Sequence, residues 1–111
     1  MGNYKSKNHS KYNIKYHLIF VCKYRKKLLI KYGEEIKQIM KDISYRYDFY
    51  ILEIEVDKDH IHVMINSVPK LSPLMIVRVL KQQSTQIIYG RYHAELKKYF
   101  WKEAIIDVKS I

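Results

Sequence analysis

Apolar and polar residues alternate with a period of two over 51–56 and again over 60–65, and apolar residues recur at helical spacing over 36–43 and 76–88. The first alternating run sets Leu52, Ile54 and Val56 against Glu53, Glu55 and Asp57; the second sets Ile61, Val63 and Ile65 against His60, His62 and Met64. Each reads as a strand with one apolar face. Residues 12–22 form a further strand pattern, in which Tyr16, Leu18 and Phe20 alternate with Lys15, His17, Ile19 and Val21. Both of its faces are largely apolar, as suits a central strand. Ile36, Ile39, Met40 and Ile43 predict a core-packing helix over 33–46, with Glu34 and Glu35 in its first turn. Ser72 and Pro73 predict a second helix start, as N-cap and first helical residue. That helix should run to about Tyr89 along a stripe of Ile76, Leu80, Gln83 and Ile87 flanked by Val77 and Ile88, with Gly90 closing it in a left-handed conformation. Arg78, Lys81 and Gln82 fall outside the stripe, on a solvated face. Residues 104–111 alternate once more and read as a short last strand.

The order strand, helix, strand, strand, helix, strand is that of a ferredoxin-like α+β domain (βαββαβ), a four-stranded antiparallel sheet with two helices on one face. If Lys58 and Asp59 make a two-residue hairpin turn, register follows: Asp57 faces His60, Glu55 faces His62 and Glu53 faces Met64. One face of the hairpin then collects two imidazoles and three carboxylates while the other is aliphatic. His60 and His62 are candidate metal ligands; Glu55 and Asp57 could ligate beside them or orient the rings, and His17 is a further candidate on the same face. Two ligands do not close a coordination shell, and the same pattern suits a solvated strand face paired for solubility.

Composition narrows the class. The chain has 111 residues, enough for one domain, which we place at 12–111 behind a basic leader at 1–11. Lysine and arginine exceed acids to give a net charge of +10, and eleven tyrosines lie in this basic background. Such a surface fits a phosphate backbone, with aromatic rings available to stack on unpaired bases. The segment Lys23, Tyr24, Arg25, Lys26 and Lys27 concentrates both features and is the candidate DNA-binding cluster. Cys22 is the only cysteine, which excludes an intramolecular disulfide and points to a small core residue. There is no apolar run long enough to span a bilayer and no signal-peptide pattern, so no membrane partner is expected and the cytoplasm is the default location.

His60-Ile61-His62 resembles the His-hydrophobic-His (HUH) motif of the single-tyrosine transposases of bacterial insertion sequences, the transposase A type. Other stretches match in order: 15–20 running into 23–27, 52–56, 69–73 and 95–101. The resemblance covers nearly the whole chain. It implies the same fold, a homodimer, and cleavage and rejoining of single-stranded hairpin DNA through a phosphotyrosine, with Mg2+ or Mn2+ held by the histidine pair. In that family a helix after the last strand carries the nucleophilic tyrosine and, about one turn later, a metal-binding glutamine; this sequence stops at Ile111. The wording after Trp101 also departs from the family pattern. The catalytic tyrosine is therefore unknown, with Tyr89, Tyr92 and Tyr99 the nearest in sequence, and the expectation is an incomplete, catalytically inactive copy. Alternatives are a non-cutting nucleic-acid-binding module or regulator of an intact transposase, and a small RNA-binding domain of the same topology.

Overall fold

The computed structural model describes residues 14–22, 28–98 and 105–111. The elements are β1 (Ile14–Cys22), α1 (Leu28–Ser44), β2 (Phe49–Asp57), β3 (His60–Ser67), α2 (Pro73–Arg91), the one-turn α3 (His93–Leu96) and β4 (Ile106–Ser110). The strands form one antiparallel sheet in the order β2-β3-β1-β4, with the helices on one face. The ferredoxin-like expectation holds. β3 and β1 are central, and β2 and β4 are the edges.

The core lies between this sheet and the helix layer. Leu18, Phe20 and Cys22 of β1 and Ile61, Val63 and Ile65 of β3 turn inward, against Ile36, Ile39, Met40 and Ile43 of α1 and Ile76, Val77, Leu80 and Ile88 of α2. Period-two burial along β3 follows from the pleat: His60, His62 and Met64 are half-buried between fully buried neighbours. At Gly33 the helix lies close to the sheet, where a Cβ would lie 3.0 Å from Cγ1 of Val56. Cys22 is buried and in no disulfide, as a small core residue should be.

Several sequence expectations are corrected. α1 begins at Leu28 rather than Gly33, because Leu28, Leu29 and Tyr32 extend its buried stripe backwards; Glu34 and Glu35 therefore lie beyond the first turn, which carries no acid. Gly90 does not terminate α2, and no glycine among the described residues has a positive φ. The helix runs on to Arg91 because Tyr92, whose N–H reaches the Ile88 carbonyl, serves as the cap and leads directly into α3. The buried stripe of α2 is Ile76, Val77, Leu80, Ser84 and Ile88, while Gln83 binds the Tyr47 hydroxyl at its margin. Lys81 is not solvated alone: it pairs with Asp107 of β4 at 2.9 Å. Ser72 does cap α2, accepting from the Met75 N–H at 3.1 Å. Strand alternation in β2 is broken at Leu52, where the register against β3 shifts. Residues 12, 13 and 104, expected in strands, and the leader 1–11 lie outside the described residues.

A polar clasp joins α1 to the end of α2 and to α3. The Tyr92 hydroxyl donates to Glu35 at 2.7 Å and Arg91 binds the other oxygen of that carboxylate at 2.5 Å; the Tyr32 hydroxyl donates to Glu95, which Lys31 also binds at 2.8 Å. The Tyr32 and Tyr92 rings pack with centroids 4.4 Å apart. Hydrogen bonds from Tyr92 and then Arg91 hold the Glu35 carboxyl below its usual range, and those from Lys31 and then Tyr32 do the same for Glu95. The same bonds raise both phenols, through Glu95 for Tyr32 and Glu35 for Tyr92.

Candidate metal and nucleic-acid site

The sheet face away from the helices carries the histidines. Its construction starts at the β2–β3 hairpin, where Lys58 takes a positive φ of 32° and Asp59 completes the turn. Asp57 then pairs with His60, Glu55 with His62 and Glu53 with Met64, the register the alternation predicts. On the other side of β3, β1 sets Val21 beside His60, Ile19 beside His62 and His17 beside Met64. Cross-strand partners share a face. His60, His62 and His17 therefore form a diagonal row, with ring centroids 6.4 Å apart for the first pair and 5.8 Å for His62 and His17.

Asp59 holds the first ring. Its Oδ1 lies 2.7 Å from Nδ1 of His60, and its own carbonyl accepts from the Cys22 N–H at 2.8 Å, which ties the turn to the end of β1. A carboxylate on Nδ1 places the proton there and leaves the Nε2 lone pair pointing outward, the tautomer a metal ligand needs. That Nε2 lies 3.2 Å from the Lys109 ammonium, which has the geometry of a donor to it. Glu53, Glu55 and Asp57 stand exposed along β2 on the same face, so the neighbouring field favours a cation.

The orienting carboxylate is thus Asp59, a turn residue that the alternation argument passed over because it looks only at strand partners. Glu55 and Asp57 occupy the cross-strand positions expected of them. Among the described residues no three histidine, cysteine, aspartate or glutamate side chains converge closely enough to enclose a metal. The donor set fits a cation held by two imidazoles, with the rest of its shell supplied from outside. The cluster Lys23, Tyr24, Arg25, Lys26 and Lys27 and the residue Tyr99 lie outside the described residues.

Four described tyrosines are placed away from the pair. Tyr32, Tyr47 and Tyr92 spend their hydroxyls in the helix layer. Tyr50 shares the histidine face but pairs with Asn66, four residues along β3 from His62, or about 13 Å at strand rise. No described helix is long and apolar enough to cross a membrane.

Comparison with known proteins bears on the chain as a whole. A family model described as "Transposase IS200 like" matches residues 10–106. The transposase for insertion sequence element IS200 from Salmonella typhimurium is 33% identical over 108 residues, which is 91% of this chain and 70% of that protein. The ISDra2 transposase TnpA from Deinococcus radiodurans is 30% identical over 91 residues, 81% of this chain and 64% of that one. A crystal structure from Deinococcus radiodurans R1, described as a transposase, superposes with a TM-score of 0.75 at 25% identity, covering 90% of this chain and 80% of the other.

Proposed function

The chain belongs to the IS200-like transposase family, and from that premise we propose that it serves DNA transposition by binding single-stranded, hairpin-bearing DNA against a divalent cation at His60 and His62. One observation carries this reading: an imidazole whose tautomer is set by Asp59 presents its lone pair on an uncovered sheet face, beside a second imidazole. Mg2+ or Mn2+ suits the site because phosphate oxygens complete a hard shell, and a bound ion would neutralise charge on the scissile phosphate. The protein's own part is to orient the two rings and to hold the strand electrostatically. Its net charge of +10 supplies the long-range attraction, and the 23–27 cluster the local one.

Strand cleavage in this reading forms a bond from a tyrosine oxygen to phosphorus and breaks the bond from phosphorus to the 3′ oxygen, which leaves as a hydroxyl; rejoining reverses the exchange. Among the described residues, Tyr32, Tyr47, Tyr50 and Tyr92 do not supply that group beside the pair, and in our reading the chain binds without cutting. Without a held hydroxyl the reaction lacks a proximity advantage of about 7 kcal/mol or more. The same observation favours a second reading, in which the chain is a non-cutting DNA-binding module that regulates an intact transposase. Labelled hairpin DNA with a single-stranded tail, incubated with the protein and MnCl2, tests both parts. Binding should weaken steeply with salt, and a denaturing gel should show no protein-linked band. An adduct would overturn the non-cutting expectation and make Tyr99 and Tyr92 the first residues to change to phenylalanine; failure to bind would remove the DNA reading. The chain is also proposed to be a homodimer, as Ile19 and Val21 are only half-buried on the open face; light scattering at micromolar concentration should give twice the chain mass.

A further inference from the structure

We propose that Lys109 couples metal binding to nucleic-acid binding: in the free protein its ammonium occupies the His60 lone pair, and a phosphate arriving on the same face draws the ammonium away and releases the nitrogen to a cation. The inference rests on the reading that His60 and His62 take a divalent ion, and it adds a residue from another strand to that site. Lys109 lies 49 residues away in sequence and reaches His60 through the sheet. β4 pairs with β1 so that Ser110 faces Ile19 and Val108 faces Phe20, with a register shift between them; Lys109 is the extra residue. A bulge of this kind re-aims a side chain out of the regular ladder. Here the re-aimed side chain crosses β1 towards His60, and Nζ stops 3.2 Å from Nε2.

The other His60 nitrogen is held by Asp59, so Nε2 is the only ring atom that can ligate a metal, and its single lone pair serves either an ammonium proton or a metal ion. Two cations compete for one site. Lys109 is exposed on a flexible four-carbon stem, and its strongly hydrated point charge can swing to a phosphate oxygen without disturbing the strand. A phosphate accepts a charge-assisted hydrogen bond, stronger than the neutral imidazole offers. DNA therefore lowers the cost of metal entry, and by linkage the metal raises DNA affinity by the same factor.

The test is calorimetric titration of MnCl2 into the wild-type chain and into Lys109→Met and Lys109→Arg, each with and without a short single-stranded oligonucleotide. Without DNA, Lys109→Met should bind Mn2+ at least about fivefold more tightly than wild type, the lower end of ordinary coupling, and Lys109→Arg, which keeps the charge, should not. The oligonucleotide should tighten Mn2+ binding to wild type by a similar factor and to Lys109→Met by less. In metal-free protein, long-range 1H–15N spectra should show the His60 Nε2 resonance moving in Lys109→Met while that of His62 stays. Equal Mn2+ affinity and equal oligonucleotide effect in wild type and Lys109→Met would overturn the inference and leave the metal site standing. Absence of Mn2+ binding in all three chains would instead remove the metal reading and this inference with it.

Discussion

On the helix side of the sheet, Lys31, Tyr32 and Glu35 of α1 meet Arg91, Tyr92 and Glu95, and their polar atoms consume one another's hydrogen-bonding capacity. On the open side, His17, His60 and His62 stand in a row beside three exposed carboxylates, and the outward nitrogen of His60 is met by the exposed Lys109 ammonium. Both regions contain aromatic rings, carboxylates and cations. What separates them is where the bonds go: the clasp closes on itself and fixes three helices, whereas on the histidine face the outward His60 nitrogen is met by one exposed lysine. Residue type alone does not mark a site; unspent donor capacity held in a fixed orientation does.

Substitutions on the two faces of β3 should separate stability from binding most widely. Ile61→Ala removes a fully buried side chain and should cost about 2–5 kcal/mol in urea unfolding, while His62→Ala, one residue on, should stay within about 0.5 kcal/mol. Comparable losses would mean that the histidine face is structural. A second separation uses Asp59→Asn, which keeps the turn but weakens the hold on the His60 tautomer. Mn2+ affinity should fall about 10- to 100-fold, with the thermal midpoint nearly unchanged.

The smallest effect concerns the clasp and pH. Glu35 and Glu95 are held below their usual carboxyl range in the folded chain, so their contribution is present above that range and is lost as pH falls through the lowered folded values. Tyr32 and Tyr92 are raised, so theirs is present below the ordinary phenol range near pH 10 and is lost above it. Thermal midpoints of wild type and a Glu35→Gln, Glu95→Gln variant should differ modestly between those limits and converge in acid. A gap that persists unchanged at pH 3 would mean that the clasp acts through packing instead.

The hairpin was legible because a period of two joined by a two-residue turn leaves a single register, and His60 opposite Asp57 and His62 opposite Glu55 follow from counting. The fold class, a four-stranded antiparallel sheet with helices on one face, was legible from element order. Asp59 was missed because its contact is local to the turn and invisible to strand periodicity. Lys109 was missed because its place depends on a bulge in a pairing 49 residues away in sequence. Gly90 looked like a helix stop, yet α2 continues because the Tyr92 cap and the clasp hold the chain beyond it. Lys81 looked solvated because its partner Asp107 arrives from the last strand. Apart from Asp59, whose contact is with its sequence neighbour, each failure involves a contact set by tertiary pairing, which composition and period do not encode.

The central claim is that His60 and His62 together take a divalent cation on the open face. Titrating MnCl2 into wild type and into a His60→Ala, His62→Ala variant, followed by paramagnetic broadening in amide spectra, tests it most directly. The account predicts saturable binding in wild type, with broadening centred on the β2–β3 hairpin. It also predicts no binding in the double variant, whose amide spectrum otherwise keeps its dispersion. Equal Mn2+ affinity in the two proteins would contradict it.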